Sequence, residues 1–380
     1  MKERNPSTYL AAQSLILLIL ISIFLSCDRP EKIRNMGIFG ESRKMSVLGQ
    51  DGCTPISLGD TMMWTFGDTI LGSWKGDLSV NSTFEDTAVM KGMISNSLAF
   101  SPVPDDQTVA SLEFTFYKEK ERVAQFIKPF PGEDPQVWRF WAIDGIQLDS
   151  TVYVYYIIVY INKNITGSEG NLMPIRVMGV GLAEWRKPPS WKAGDPVGFR
   201  RTVKLFSGGD PVFGDSVIRI GDSLYLIGHG PASGGRVPAY IAKVPASSIK
   251  IRAAYEFLDA RGAWSRNLHD AHPFIDDVMG ELSLSYNEFL KRYVVIYCSL
   301  DGTIKMVCFK DFRQLKNARP RVVYTPASLP QIASRPNMFY YSGKEIFHTG
   351  DAIYAIYIHP AIYQPILLKI PYGAILQKCD

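Results

Sequence analysis

The sequence predicts an all-β fold: a five-bladed β-propeller preceded by a signal peptide and a short tether. Three observations lead there. Short alternating apolar strands recur five times, at intervals of roughly 60–90 residues, the spacing of propeller blades. They are Met63-Trp64-Thr65-Phe66, Tyr153-Val154-Tyr155-Tyr156, Leu224-Tyr225-Leu226-Ile227, Tyr293-Val294-Val295-Ile296-Tyr297 and Ile353-Tyr354-Ala355-Ile356-Tyr357. Four of them leave a tight polar turn, at Gly59-Asp60, Asp149-Ser150, Gly221-Asp222 and Gly350-Asp351, while Tyr293–Tyr297 follows Leu290-Lys291-Arg292. Gly and Pro are frequent and dispersed, as many tight turns require, and no long helical pattern appears after the first 26 residues.

The N-terminus reads as an export signal. Lys2 and Arg4 precede an apolar stretch from Leu10 to Leu25, which is short for a membrane-spanning helix. It ends Phe24-Leu25-Ser26-Cys27, similar to a bacterial lipobox, in which the Cys thiol takes a diacylglycerol. The expected organisation is a lipoprotein signal peptide over 1–26, a polar tether over 27–44 and one propeller domain over 45–380. The protein is then exported and lipid-anchored through Cys27 to a bacterial cell membrane; an uncleaved signal anchor is the alternative.

Composition limits the partners. With 41 basic and 37 acidic residues and no basic stripe, the chain carries no nucleic-acid footprint. The remaining cysteines, Cys53, Cys298, Cys308 and Cys379, show no CxxC spacing, so no zinc site is expected. Four buried or unpaired thiols are favoured over disulfides, although an exported compartment permits them.

Each recurring strand has an upstream partner bearing one polar residue near its start. These strands are Gln50–Ile56 with Asp51, Trp141–Leu148 with Asp144, Phe213–Ile220 with Asp215, Gly280–Tyr286 with Glu281, and Tyr340–Phe347 with Lys344. The innermost strand of each propeller blade lines the channel. Four carboxylates and one ammonium are therefore expected around one axis. Asp-Gly and Gly-Asp pairs are also ordinary turn residues, but five recurrences at a matching offset favour the channel.

Blade one carries the densest cluster. Asp68 ends the strand Met62–Thr69, and Asp51 lies one strand earlier and antiparallel, so the two are expected to converge. A carboxylate pair is what glycoside hydrolysis requires, with one group protonating the leaving oxygen and the other activating water or attacking the sugar. Asp51-Gly52, Trp64, Phe66-Gly67-Asp68-Thr69 and Asn96-Ser97 resemble the opening of the DUF4185 propeller family. Trp141–Gly145, Gly280–Asn287 and Tyr340–Lys344 are similar to its later blades. The resemblance spans about residues 45–375 and departs from the pattern at Cys53-Thr54. It implies an endo-acting glycoside hydrolase, as in members that cut D-arabinan by inversion, with the catalytic aspartates falling on Asp51 and Asp68.

Secondary candidates are weaker. Asp144, Asp215, Glu281, Lys344 and Trp141 are expected to bind sugar or tune the pair. In His269-Asp270-Ala271-His272, His269 reads as a sugar-contacting loop residue, and the spacing is not that of a zinc hydrolase. Trp138 and Trp264 are stacking candidates, although core packing is the commoner fate of Trp. Leu112–Tyr117 reads as an outer strand and 162–175 as a hairpin tip. No GxSxG elbow, phosphate loop, cofactor signature or metal site is present. The alternative to an enzyme is a non-catalytic surface propeller that binds a glycan or protein partner.

Overall fold

The computed structural model describes residues 31–40, 46–76, 78–83, 88–161, 175–317, 319–329, 338–376 and 379. Cys27, the expected signal peptide and the 162–174 hairpin tip lie outside them. Among the described residues no helix is long and apolar enough to cross a membrane.

Five antiparallel sheets follow one another around a ring. Blade I is built from Val47–Ser57, Thr61–Trp74, Ser97–Pro102 and Thr115–Phe116, with Ala88–Ile94 extending the far end of its second strand. Blade II contains Trp138–Leu148, Thr151–Ile161, Ile175–Arg186 and Arg200–Ser207. Blade III contains Val212–Ile220, Ser223–His229, Ala239–Pro245, Glu256–Leu258 and Trp264–Ser265. Blade IV contains Val278–Asn287, Arg292–Ser299, Ile304–Phe309 and Arg321–Tyr324. Blade V contains Tyr341–His348, Ala352–His359, Gln364–Pro371 and Arg34–Ile38. All five recurring sequence segments are second strands, and each expected partner is the innermost strand. The expected outer strand Leu112–Tyr117 forms a ladder only at Thr115–Phe116.

Each blade is sandwiched between two others, so its middle strands bury both faces. Ala352–His359 is buried at every position, which explains why its apolar run is nearly continuous. Five apolar clusters fill the five interfaces. One, for example, joins Met63 and Phe100 of blade I to Phe140 and Val154 of blade II. Another joins Trp64 and Phe66 of blade I to Tyr354 and Ile356 of blade V. Each fully buried large apolar side chain contributes about 1.5–3 kcal/mol relative to exposure.

The ring closes with strands from both chain ends. Arg34–Ile38, expected to belong to the tether, pairs antiparallel with Gln364–Pro371, from Arg34 opposite Lys369 to Ile38 opposite Ile366. The propeller therefore begins before residue 45. The physical reason is that the third strand of blade V would otherwise present an open, apolar edge. Phe39 follows at 0% exposure, its ring 5.3 Å from Trp64 of blade I. The cysteine expectation holds for Cys53 and Cys298, which are buried and free, and fails for the other two. Cys308 of blade IV forms a disulfide with Cys379, with Cα atoms 5.1 Å apart across 71 residues of sequence. Ring geometry brings them together, and spacing in the sequence gives no sign of it.

A chain beginning at Phe39 leaves the outer edge of Gln364–Pro371 unpaired. Its melting temperature should fall by several degrees, and light scattering should show self-association that the full chain lacks. Unchanged melting would show that the N-terminal strand is dispensable.

Candidate active site

The innermost strand of every blade is an edge strand facing the axis, and its inward N–H and C=O groups have no ladder partner. Each of the five inner strands breaks register where its polar residue sits or beside it. The breaks fall between Gln50 and Gly52, Ala142 and Gly145, Phe213 and Ser216, Val278 and Leu282, and Tyr341 and Lys344. A bulge re-aims a side chain that regular pleating would point elsewhere. The recurring Asp and Glu positions are thus bulges inside strands, rather than turns; Asp144, Asp215 and Lys344 line the axial cavity, and Glu281 is ion-paired to Lys344. A cavity of 610 Å³ along the axis is lined from all five inner strands, including Thr54, Asp144, Asp215, Ser283 and Lys344.

Several of these groups serve the backbone of neighbouring blades. Asp144 Oδ1 accepts the Gly145 N–H at 2.6 Å, and Oδ2 accepts the Val217 N–H of blade III at 2.8 Å. Burial pushes its carboxyl up to about 7 despite those bonds. With one backbone N–H on each oxygen, Asp144 stitches two strands while lining the cavity. Ser283 Oγ accepts the Glu345 N–H at 2.8 Å, joining blades IV and V. Lys344, 1% exposed, pairs with Glu281 and donates to Thr54 Oγ1 of blade I.

Asp215 is fully buried. Its Oδ2 accepts the His229 N–H at 2.8 Å and lies 2.6 Å from the ring Nδ1. Burial raises the Asp215 carboxyl. Burial alone would lower the His229 imidazole, but the Asp215 charge, its hydrogen bond and the Glu281 charge together outweigh it and the net direction is upward. The partly exposed imidazole is therefore the accessible member of this pair.

Asp51 and Asp68 do converge. Gln50 pairs with Thr69 and Gly52 with Phe66, which leaves Asp51 opposite Gly67-Asp68. A Cβ on Gly67 would lie 2.4 Å from Asp51 Oδ1, so glycine is what allows the carboxylate to lie across this strand. Asp51 Oδ2 accepts the Tyr363 hydroxyl at 2.6 Å and the Tyr341 hydroxyl at 3.4 Å. Burial, then Asp68 and Glu281, hold its carboxyl well above the usual range, with Tyr363 and Lys344 opposing. Asp68 is 7% exposed. Burial raises it to about 6, against the Arg139 guanidinium and the Trp141 indole of blade II. The indole N–H faces Asp68 short of hydrogen-bond geometry. Of the expected tuning groups, Glu281 and Lys344 act on Asp51, and Trp141 acts on Asp68.

Sequence reading missed His229, Tyr363 and Arg139. Tyr363 sits in a turn between strands at φ +53°, and Cys53 and Ser342, at φ +62° and +52°, flank the same cluster. Such conformations cost about 1–3 kcal/mol each in non-glycine residues and gather at functional sites. No local sequence signal marks a strained Tyr. His269 is placed differently from the others. It is exposed on a short 3-10 turn beside Glu256–Leu258 in the outer part of blade III, with Asp270 bonded to Ser265 at 2.6 Å. Trp264 packs edge-on against Tyr225 in that same outer layer, and Trp138 lies edge-on to Tyr160. No cluster of metal-ligand residues occurs among the described residues.

A family model described as "Domain of unknown function (DUF4185)" matches residues 40–370. No curated protein matches the chain. Among solved structures, a hydrolase candidate from Bacteroides ovatus is similar at a TM-score of 0.61 and 14% identity, over 91% of this chain and 89% of that one. At such identity the likeness shows a shared fold. A family 117 glycoside hydrolase from Zobellia galactanivorans aligns at a TM-score of 0.45 and 10% identity, over 89% and 90% of the two chains. An N-acetylgalactosamine deacetylase from F. plautii aligns at 0.46 and 9%, over 91% and 97%.

Replacing Lys344 by Met should strand the largely buried Glu281 carboxylate without its partner and cost about 3–5 kcal/mol in urea unfolding. Adding Glu281→Gln should recover much of that loss. A K344M protein as stable as wild type would remove this pair from the forces holding blades IV and V to blade I.

Proposed function

Given a chain that belongs to the DUF4185 family, we propose that it is a glycoside hydrolase acting on an envelope or extracellular polysaccharide. The observation that carries this reading is the Asp51–Asp68 pair. Two carboxyls from adjacent strands lie near enough for the Asp68 charge to raise Asp51, with acidic neighbours around Asp51 and a guanidinium beside Asp68. A hydrolase needs one carboxyl that keeps its proton and one that has lost it.

The environments assign the roles. Burial and the charges of Asp68 and Glu281 favour the protonated form of Asp51, against the hydrogen bond from the Tyr363 hydroxyl. Asp51 is the general acid, giving its proton to the leaving glycosidic oxygen. Asp68, at about 6 beside Arg139, is ionised at pH 7 and is the general base that activates a water. Water attack on the face opposite the leaving group inverts the anomeric centre. The substrate we favour is an arabinofuranosidic polysaccharide cut internally. A diacylglycerol on Cys27 would hold the enzyme at the cell envelope.

Digestion of a polysaccharide panel with the purified protein tests the reading. Asp51→Asn and Asp68→Asn should each lower sugar release by about 10²–10⁴-fold without changing the circular dichroism spectrum. Wild-type activity should rise with pH through about 6, as Asp68 ionises, and fall at higher pH as Asp51 loses its proton. Proton NMR of the first product should show the inverted anomer. Wild-type release by both variants would remove the pair. In a bacterial host, Cys27→Ala should move the protein from the membrane fraction to the soluble fraction; unchanged fractionation would argue against lipidation.

A further inference from the structure

Three polar atoms beside the carboxylate pair are buried without a hydrogen-bond partner: Asp68 Oδ1, Arg139 Nε and Trp141 Nε1. They come from two neighbouring strands, Thr61–Trp74 and Trp138–Leu148. Arg139 and Trp141 are two positions apart, before that strand's bulge, and so project to one side. Arg139 and Trp141 are each only partly buried as whole residues.

Asp215 Oδ1 and Gln147 Oε1 in the channel are also buried without a partner, but each is a lone acceptor, whereas this cluster holds two donors. Asp144, Glu281 and Lys344 are hydrogen-bonded or ion-paired. Arg139 makes no ion pair to a carboxylate among the described residues, and Asp68 acts on it only through the field. Native proteins rarely leave buried polar groups unpaired, and a local cluster of them calls for a partner from outside. The chemistry of that partner follows from the donors. A guanidinium has five N–H groups and no acceptor, and an indole has one N–H and no acceptor. Donor-only groups are best matched by an acceptor-only anion, and the guanidinium fork fits the planar or tetrahedral oxygens of a carboxylate or sulfate.

We propose that Arg139 and Trp141 form a recognition fork for an anionic substituent on the glycan, so that the substrate is an acidic saccharide. The anion is a uronic carboxylate or a sulfate ester, on a sugar beside the bond to be cut. The inference rests on the glycan-hydrolase reading of this cleft and narrows it, away from a purely neutral arabinan. Arg139 then has two tasks, holding the anion and keeping Asp68 ionised.

The test is titration calorimetry on the intact protein carrying Asp51→Asn, which holds ligand without turning it over. Three sets of oligosaccharides are compared: neutral arabino- and galacto-oligosaccharides, uronate-containing ones and sulfated ones. At least one acidic set should bind 10-fold or more tighter than the neutral set at low salt, and the advantage should shrink as salt rises. Which acidic set binds identifies the anion. Adding Arg139→Gln should weaken the acidic ligand about 10–100-fold and leave neutral ligands unchanged. Trp141→Phe, which keeps the ring and removes one donor, should weaken the acidic ligand several-fold and guards against a misfolded R139Q protein. Equal binding of neutral and acidic sets, equal weakening of both by R139Q, or no glycan binding at all would overturn the proposal. The two readings fail separately. A wild-type protein that binds acidic glycans and hydrolyses none keeps the fork and loses the hydrolase. Hydrolysis of neutral glycans by a protein that binds no acidic glycan does the reverse.

Discussion

Five edge strands face one another across a narrow axis, and their inward backbone groups must find partners there. Everything polar in the channel answers to that constraint. A sheet edge normally meets water or another strand, and among the described residues no further strand pairs with these five inner edges. Side chains from neighbouring blades do the work instead, with Asp144 taking the Val217 N–H and Ser283 the Glu345 N–H. Thr65 of blade I donates to the Ile143 carbonyl of blade II at 2.6 Å. The bulges are the local means, since each turns a polar side chain out of the regular pleat. A group that serves structure and a group available for chemistry therefore arise from the same device.

What separates them is how many of their atoms remain uncommitted. Asp144 has none, with both oxygens on backbone N–H groups. Asp51 has one oxygen held by Tyr363 and the other lying over Gly67. Asp68 keeps an oxygen with no partner at all. Burial raises all three carboxyls, so a displaced pKa alone would not distinguish the strand stitch from the candidate acid and base. Hydrogen-bond accounting does.

The site also depends on ring closure. Asp51 lies on blade I, and its hydrogen-bonding tyrosines come from blade V. Blade V in turn is completed by Arg34–Ile38. The Gln50 N–H bonds the Tyr363 carbonyl at 2.7 Å, and Gln364 donates to the Leu48 carbonyl at 2.6 Å, so the first and last blades meet through the residues that flank the acid. Loosening the seam would displace the tyrosines before it unfolded any blade. Carboxyl position and closure of the ring are one mechanical problem.

Much of this was legible in the sequence. Period-two alternation is a local property, and it identified the five second strands, their inner partners and the polar residue near the start of each. The antiparallel offset between Asp51 and Asp68 is equally local, and their convergence followed from it. The residues that complete the site carry no such mark. His229 meets Asp215 across one hairpin of blade III, while Arg139 and Tyr363 come from other blades than the acids they meet, and packing of blade on blade sets them there. The same holds for Arg34–Ile38 and for Cys308 with Cys379, whose partners lie far along the chain. The sequence by itself determined the blades, because each is built from neighbours along the chain. Tertiary structure alone decided the seam, the disulfide and the use of each carboxylate, because those depend on contacts between residues that become neighbours only when the ring shuts.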